Sequence, residues 1–121
     1  MTNCRLRACA LSALLCWVVT AGEVGRVIDG DTFQVTVKIW PSLTANETVR
    51  VLGVNTPELR GATKAASERA KAATTTWLSK GEFKIEACIR DAFGRLLGKV
   101  YRGDSVLADE LVNGGLGVRF P

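Results

Sequence analysis

The chain contains no histidine. That excludes His-based triads, His general bases and His-rich zinc or iron sites. Any catalysis has to come from carboxylates, Arg, Lys, hydroxyls, thiols or a bound ion. Proline is scarce, at 3 residues beside 12 glycines with no repeating register, so a fibrous chain is excluded. No apolar run reaches the roughly 18 residues that a spanning helix needs, which excludes a polytopic membrane protein. No low-complexity tract, linker or internal repeat is present. What is there is ordinary for a folded domain: 47% apolar and 23% charged residues in a length of 121. Disorder is therefore not the main state, and the length fits one domain with no room for a separate regulatory one.

The first 21 residues carry their own pattern. Arg5 and Arg7 precede an almost unbroken apolar stretch from Ala8 to Ala21, and Val19-Thr20-Ala21 offers small residues for a cut after Ala21. The reading is an export signal over 1–21 and a folded domain over 22–121. An uncleaved anchor and a wrongly chosen start codon are the alternatives. Export implies a secreted or periplasmic location, with no stable membrane association once the leader is removed. Cys4, Cys9 and Cys16 would leave with it, so Cys88 is expected to be unpaired, with no intrachain disulfide. Losing Arg5 and Arg7 lowers the basic count from 16 to 14 against 12 acidic residues, and the net charge from +4 to +2. A charge that mild says little about nucleic acid by itself.

Beyond the leader, hydrophobic periodicity changes along the chain. Val24 to Ile28 is a short apolar run stopped by Asp29-Gly30, a strong hairpin signal. Phe33, Val35, Val37 and Ile39 then alternate with polar residues, which predicts a half-buried strand ended by Trp40-Pro41-Ser42. A polar loop through Asn46 and a third strand from Thr48 to Gly53 are expected, with Val49 and Val51 on one face and Arg50 on the other. From about Thr63 to Lys80 the period becomes helical, with Ala66, Ala70, Ala73 and Trp77 as the apolar stripe. Thr74-Thr75-Thr76 is poor helix material, so packing must hold that end. Phe83, Ile85, Ala87 and Ile89 mark a fourth strand, Asp91-Ala92-Phe93-Gly94 a turn, and Arg95 to Tyr101 a fifth. Ser105 is expected to cap a short helix ending at Gly114-Gly115. Three strands, a helix, a hairpin and a short C-terminal helix predict a mainly β domain with helices (α+β), a five-stranded Greek-key barrel of the OB type. A plain α+β sheet is the rival.

Three polar segments interrupt this pattern: Asp29-Gly30-Asp31-Thr32, Arg50 through Asn55-Thr56-Pro57-Glu58, and Asp91-Ala92-Phe93-Gly94-Arg95. Taken alone, each reads as turn chemistry or an exposed charge. Asp31 at a strand start can offer oxygen to a hard cation. An Arg beside a turn can grip phosphate bidentately.

In this order and spacing, the Asp-Gly-Asp-Thr, Arg-x6-Pro-Glu and Asp-x-x-Gly-Arg elements resemble the staphylococcal-nuclease-like (thermonuclease) family, over roughly Val24 to Leu116. The resemblance implies an OB barrel and a calcium-dependent nuclease that hydrolyses phosphodiester bonds of DNA and RNA with low sequence specificity. It implies Arg50 and Arg95 as catalytic residues that clamp the phosphate, and Glu58 as the carboxylate that activates water. Asp31, Asn55 and the Thr56 carbonyl correspond to the calcium ligands, and Asp29 to an acid behind them. Phe93 falls where an aromatic often contacts substrate. Nucleic acid is the one partner implied; no protein partner is, and a monomer is expected.

The sequence also departs from the family pattern. Asn55 stands where the family has a second calcium-binding Asp, which implies weaker ion affinity and reduced turnover. Ala92 replaces a lysine that some relatives carry. The end at Gly117–Pro121 falls short of the helix and tyrosines that follow in the staphylococcal enzyme. Asn55 thus keeps a second function open: a catalytically impaired OB module that binds single-stranded nucleic acid without cutting. Oligosaccharide binding, which the fold also hosts, does not account for two arginines beside carboxylates.

Overall fold

A computed structural model describes residues 16–57 and 64–120. Alternation decides which side chains turn inward. In β2 (Thr32–Trp40), Phe33, Val35 and Val37 are buried, and in β3 (Leu43–Val51), Val49 and Val51 are. β1 (Trp17–Asp29) pairs antiparallel with β2, and β2 with β3. β5 (Lys84–Arg90) and β6 (Leu96–Arg102) form the second hairpin. β1 pairs with β5, and β3 closes onto β6 in parallel register. The result is the expected five-stranded OB-type barrel of β1, β2, β3, β5 and β6.

Two helices sit where the sequence places them. α1 (Lys64–Leu78) follows β4 (Val54–Asn55) in the chain, and α2 (Leu107–Asn113) follows β7 (Ser105–Val106). The short strand β8 (Val118–Arg119) pairs with β4. Inside, Phe83 packs edge-on against Phe33 and Trp77, with centroids 6.1 and 5.7 Å apart. Among the described residues no helix is long and apolar enough to cross a membrane.

Several expectations are corrected, each for a tertiary reason. Leu43 to Asn46 are strand, not loop, because the β2–β3 ribbon runs past the barrel, and there Ile39, Trp40 and Leu43 are exposed. Ile89 is also exposed, since a bulge after Ala87 turns it off the inner face. The buried stripe of α1 is Ser67, Ala70, Thr74, Trp77 and Leu78. Ser105 does not cap α2; its hydroxyl accepts the Trp77 indole N–H at 2.9 Å.

The first strand changes the cysteine expectation too. The β1–β5 ladder consists of Trp17↔Ala87, Val18↔Glu86, Val19↔Ile85 and Thr20↔Lys84. Register shifts after Ala21, Val24 and Val27 bend β1 so that its first part serves β5 and the rest serves β2. The ladder brings Cys16 beside Cys88, and the two form a disulfide, contrary to the unpaired Cys88 expected. A cut after Ala21 would fall inside β1 and remove the whole β1–β5 ladder.

A chain beginning at residue 22 is therefore expected to lose that seam and the crosslink, the latter alone contributing about 4 kcal/mol for a loop of this size. By thermal unfolding it should melt at least about 15 °C below a chain beginning at Cys16, or show no cooperative transition. Equal melting temperatures would refute a structural role for Cys16 to Thr20.

Candidate functional site

The β1–β2 turn places Asp31. Gly30 is required there by close approach: a Cβ would lie 2.7 Å from Ala70 Cβ and 3.0 Å from Thr56 Oγ1. The Gly30 carbonyl accepts the buried Thr74 hydroxyl at 2.6 Å, which explains a threonine in the middle of α1. The Asp31 carbonyl accepts the Val51 N–H at 2.8 Å. Its side chain is thus fixed at the barrel rim, where the residue is 6% exposed. Oδ1 accepts the Thr32 hydroxyl and Oδ2 accepts the Thr56 backbone N–H, both at 3.0 Å. Arg50 Nη1 lies 3.6 Å from Oδ2. These donors offset the cost of burying a carboxylate.

Arg50 is paired with Thr32 in the β2–β3 ladder and leaves β3 on the side opposite Val49 and Val51. Its Nη1 donates to the carbonyls of Val51 at 2.7 Å and Val54 at 2.9 Å, and Nη2 donates to Asn55 Oδ1 at 3.2 Å. The Phe120 ring centroid is 5.7 Å from the guanidinium carbon. Three of the five N–H donors of an arginine are thereby used. Among the described residues the Nε–H and one Nη2–H are unpartnered, donors of the kind that phosphate accepts.

Arg95 is held by the β5–β6 turn. Asp91 Oδ1 accepts the N–H groups of Phe93 and Arg95 at 2.9 Å, and Oδ2 accepts Arg95 Nε at 2.7 Å. Gly94 takes the positive φ of 84° that the turn demands. Burial pushes the Asp91 carboxyl up, but the Arg95 backbone N–H, the Arg95 guanidinium and the Phe93 N–H outweigh it and hold the group below the ordinary carboxylate range. Both Nη groups of Arg95 are unpartnered among the described residues. Phe93 is 83% exposed, and its ring centroid is 5.4 Å from the Arg95 guanidinium carbon. Arg90 ties this turn to β3, with a bidentate pair to Glu47 at 2.9 Å and a bond to the Gly94 carbonyl.

The β3–β6 register sets Arg50 opposite Leu97, and Arg95 lies two residues before Leu97 in the turn that leads into β6. The structure thus gathers Asp31, Arg50, Asn55 and Thr56 at one point and sets Arg95 with Phe93 on the neighbouring hairpin. Glu58 lies outside the described residues. Sequence reading missed Thr74, Glu47, Arg90 and Asp91 as supports. The anomalous Thr74 in an Ala-rich helix and the Asp91/Arg95 spacing were the available signals.

No group of three or more His, Cys, Asp or Glu lies together among the described residues. The expected ion ligands are hard oxygens and fit a calcium-type ion in kind, with one formal negative charge, on Asp31. Among the described residues the buried Thr56 hydroxyl beside them has no hydrogen-bond partner. Asn55 Oδ1 is turned to Arg50. A cavity of about 380 Å³ borders Asn55, Thr56 and Arg69.

An OB-type barrel with paired arginines beside a buried carboxylate defines a nuclease-like or nucleic-acid-binding domain. The chain belongs to the family of staphylococcal nuclease homologues, whose model matches residues 48–120, a span that holds Arg50, Asn55, Thr56, Phe93 and Arg95. It is also similar to Protein ParB of Escherichia coli, at 35% identity over 101 residues, covering 79% of this chain and 52% of that protein. The chain therefore spans about half the length of the curated relative it matches.

Two outcomes are expected here. Gly30→Ala should cost about 1–3 kcal/mol in urea unfolding through overpacking against Ala70; an unchanged midpoint would show that the turn is not clamped. A depressed carboxyl keeps its contribution above the unfolded value near 3.9 and loses it as pH falls through the lower folded value. The amide proton shifts of Phe93 and Arg95 should thus stay level from pH 8 down to about 4 and move together below it. A shared inflection above the ordinary carboxylate range would contradict the Asp91 geometry.

Proposed function

We propose that this protein is a nuclease that hydrolyses phosphodiester bonds of DNA and RNA with low sequence preference. The observation that carries the reading is Arg50 beside the buried Asp31, with Arg95 in the turn that leads into the strand paired with Arg50. A phosphodiester is an anion whose transition state gathers more charge on its non-bridging oxygens. Two guanidiniums with unpartnered N–H groups stabilise that charge without reorganisation. Contacts of this kind read phosphate and carry no base information, which supports low specificity. Glu58, by its place in the family pattern, is the group that orients the attacking water and takes its proton. Asp31 and Thr56 are the residues to hold a calcium-type ion, which when bound supplies further positive charge at the phosphate.

Export supports the same reading. Ala8 to Leu15 behind Arg5 and Arg7 remains within the length of an apolar signal core, and a Cys16–Cys88 disulfide suits an oxidising compartment. A second reading, a binding module without turnover, is favoured by the neutral Asn55 against Arg50.

The test is the full chain with single-stranded DNA and RNA, in calcium and then in chelator, from pH 7 to 10. Cleavage in calcium that chelator abolishes, and that Glu58→Gln lowers about a hundredfold or more, is the expected result. Retained binding with no cleavage in any condition would replace the enzyme reading with the binding module.

A further inference from the structure

We propose that Asn55 serves the Arg50 guanidinium as a positioning residue for phosphate, so that the site grips a phosphodiester without any divalent ion. This deepens the reading above and rests on the nucleic-acid face defined by Arg50 and Arg95. Its geometry is independent of the ion.

Three acceptors fix the plane of the guanidinium. Two are backbone carbonyls, of Val51 and Val54, and both take Nη1. They hold one end of the guanidinium, and the Asn55 amide oxygen takes Nη2 and holds a second. Among the described residues the hydrogens left over are those of Nε and one on Nη2. Without Asn55, these donors would lose their fixed direction while Arg50 stayed attached to the barrel.

The chemical identity of residue 55 matters as much as its place. A carboxylate at this position would form an ion pair with Arg50 and cancel the charge that a phosphate must meet. Asp31 already stands 3.6 Å from Nη1. A second carboxylate would leave the guanidinium with a net anionic surrounding. The neutral amide accepts the same hydrogen bond and leaves the positive charge in place.

The backbone supports this assignment. Asn55 is one of the two residues of β4, and β4 is pinned by β8 through Asn55↔Val118 and Val54↔Arg119. The same C-terminal segment carries Phe120 to within 5.7 Å of the guanidinium carbon. β8 therefore fixes both the amide and the ring that border Arg50. The segment that ends the described chain acts as a brace for the anion site.

The proposal is tested by fluorescence anisotropy of the full chain with a labelled single-stranded oligonucleotide, in excess chelator and low salt. The wild type should bind, and Asn55→Ala should weaken binding about tenfold with an unchanged melting temperature, Asn55 being exposed. Asn55→Asp should weaken it more, since it restores the acceptor and removes the charge. If Asn55 acted only as an ion ligand, Asn55→Ala in chelator would bind like the wild type, and that result would overturn the proposal. Arg95→Gln separates the two levels. Weakening by Arg95→Gln with none by Asn55→Ala defeats the positioning role alone. No binding by the wild type, or no effect of either variant, defeats the nucleic-acid face and the proposal with it. As a second readout, nitrogen-15 spectra should show the Arg50 Nη2 group restrained in the wild type and averaged in Asn55→Ala. Averaging in both would count against the bond.

Discussion

A carboxylate buried at the rim of a small barrel has to be met by donors, and here that requirement organises the neighbourhood. Asp31 is reached by the Thr32 hydroxyl, the Thr56 amide and the Arg50 guanidinium. Those donors come from β2, from the segment after β4 and from β3. The adjoining Gly30 carbonyl draws in Thr74 from α1, so helix, hairpin and loop are all tied within two residues of the same turn. Unpaired, that carboxylate would cost several kcal/mol in a domain with a stability on the order of ten.

The arginines divide by what neutralises them. Arg102 lies 4.1 Å over the Trp77 ring and donates to the carbonyls of Trp77, Gly81 and Glu82, so it holds the end of α1 to the barrel. Arg90 is spent on Glu47 and fastens the β5–β6 turn to β3. Arg95 Nε is paired with Asp91, and among the described residues its Nη groups are left over; Arg50 is tied mainly to neutral oxygens, with Asp31 3.6 Å away. Guanidinium donors that are anchored yet unpartnered are what an anion site needs. The mild overall charge of the chain gives no sign of it, because the effect lies in partners and not in totals.

Much of the barrel could be read from periodicity. Phe33, Val35, Val37, Val49 and Val51 are inward as their alternation requires, and Gly94 takes the positive φ that its turn implies. The β1 entry could not be read, because Trp17 to Ala21 continue an apolar run that looks the same whether it is the end of a signal core or a strand buried on one side. Leu43 to Asn46 looked like loop because the ribbon there leaves the barrel, and a strand exposed on both faces has no alternation to show. In α1, Ala70 and Trp77 of the expected stripe are buried, but Ser67 and Thr74 take the places of Ala66 and Ala73, buried polar residues that no apolar count detects.

The sequence alone pointed to the order of the main strands and helices and, through its motifs, to the five-stranded barrel, since alternation, turn chemistry and motif spacing are properties of the chain itself. Tertiary structure decided which of those residues meet. The parallel β3–β6 register set Arg50 opposite Leu97, close to the turn that carries Arg95, and the Asp31 turn set the donors around its carboxylate. The β1–β5 ladder joined Cys16 to Cys88, and the β4–β8 pair carried Asn55 to Arg50. The reason is physical: hydrogen bonds and ion pairs between residues tens of positions apart depend on strand register and burial, and neither is written in any local stretch of residues.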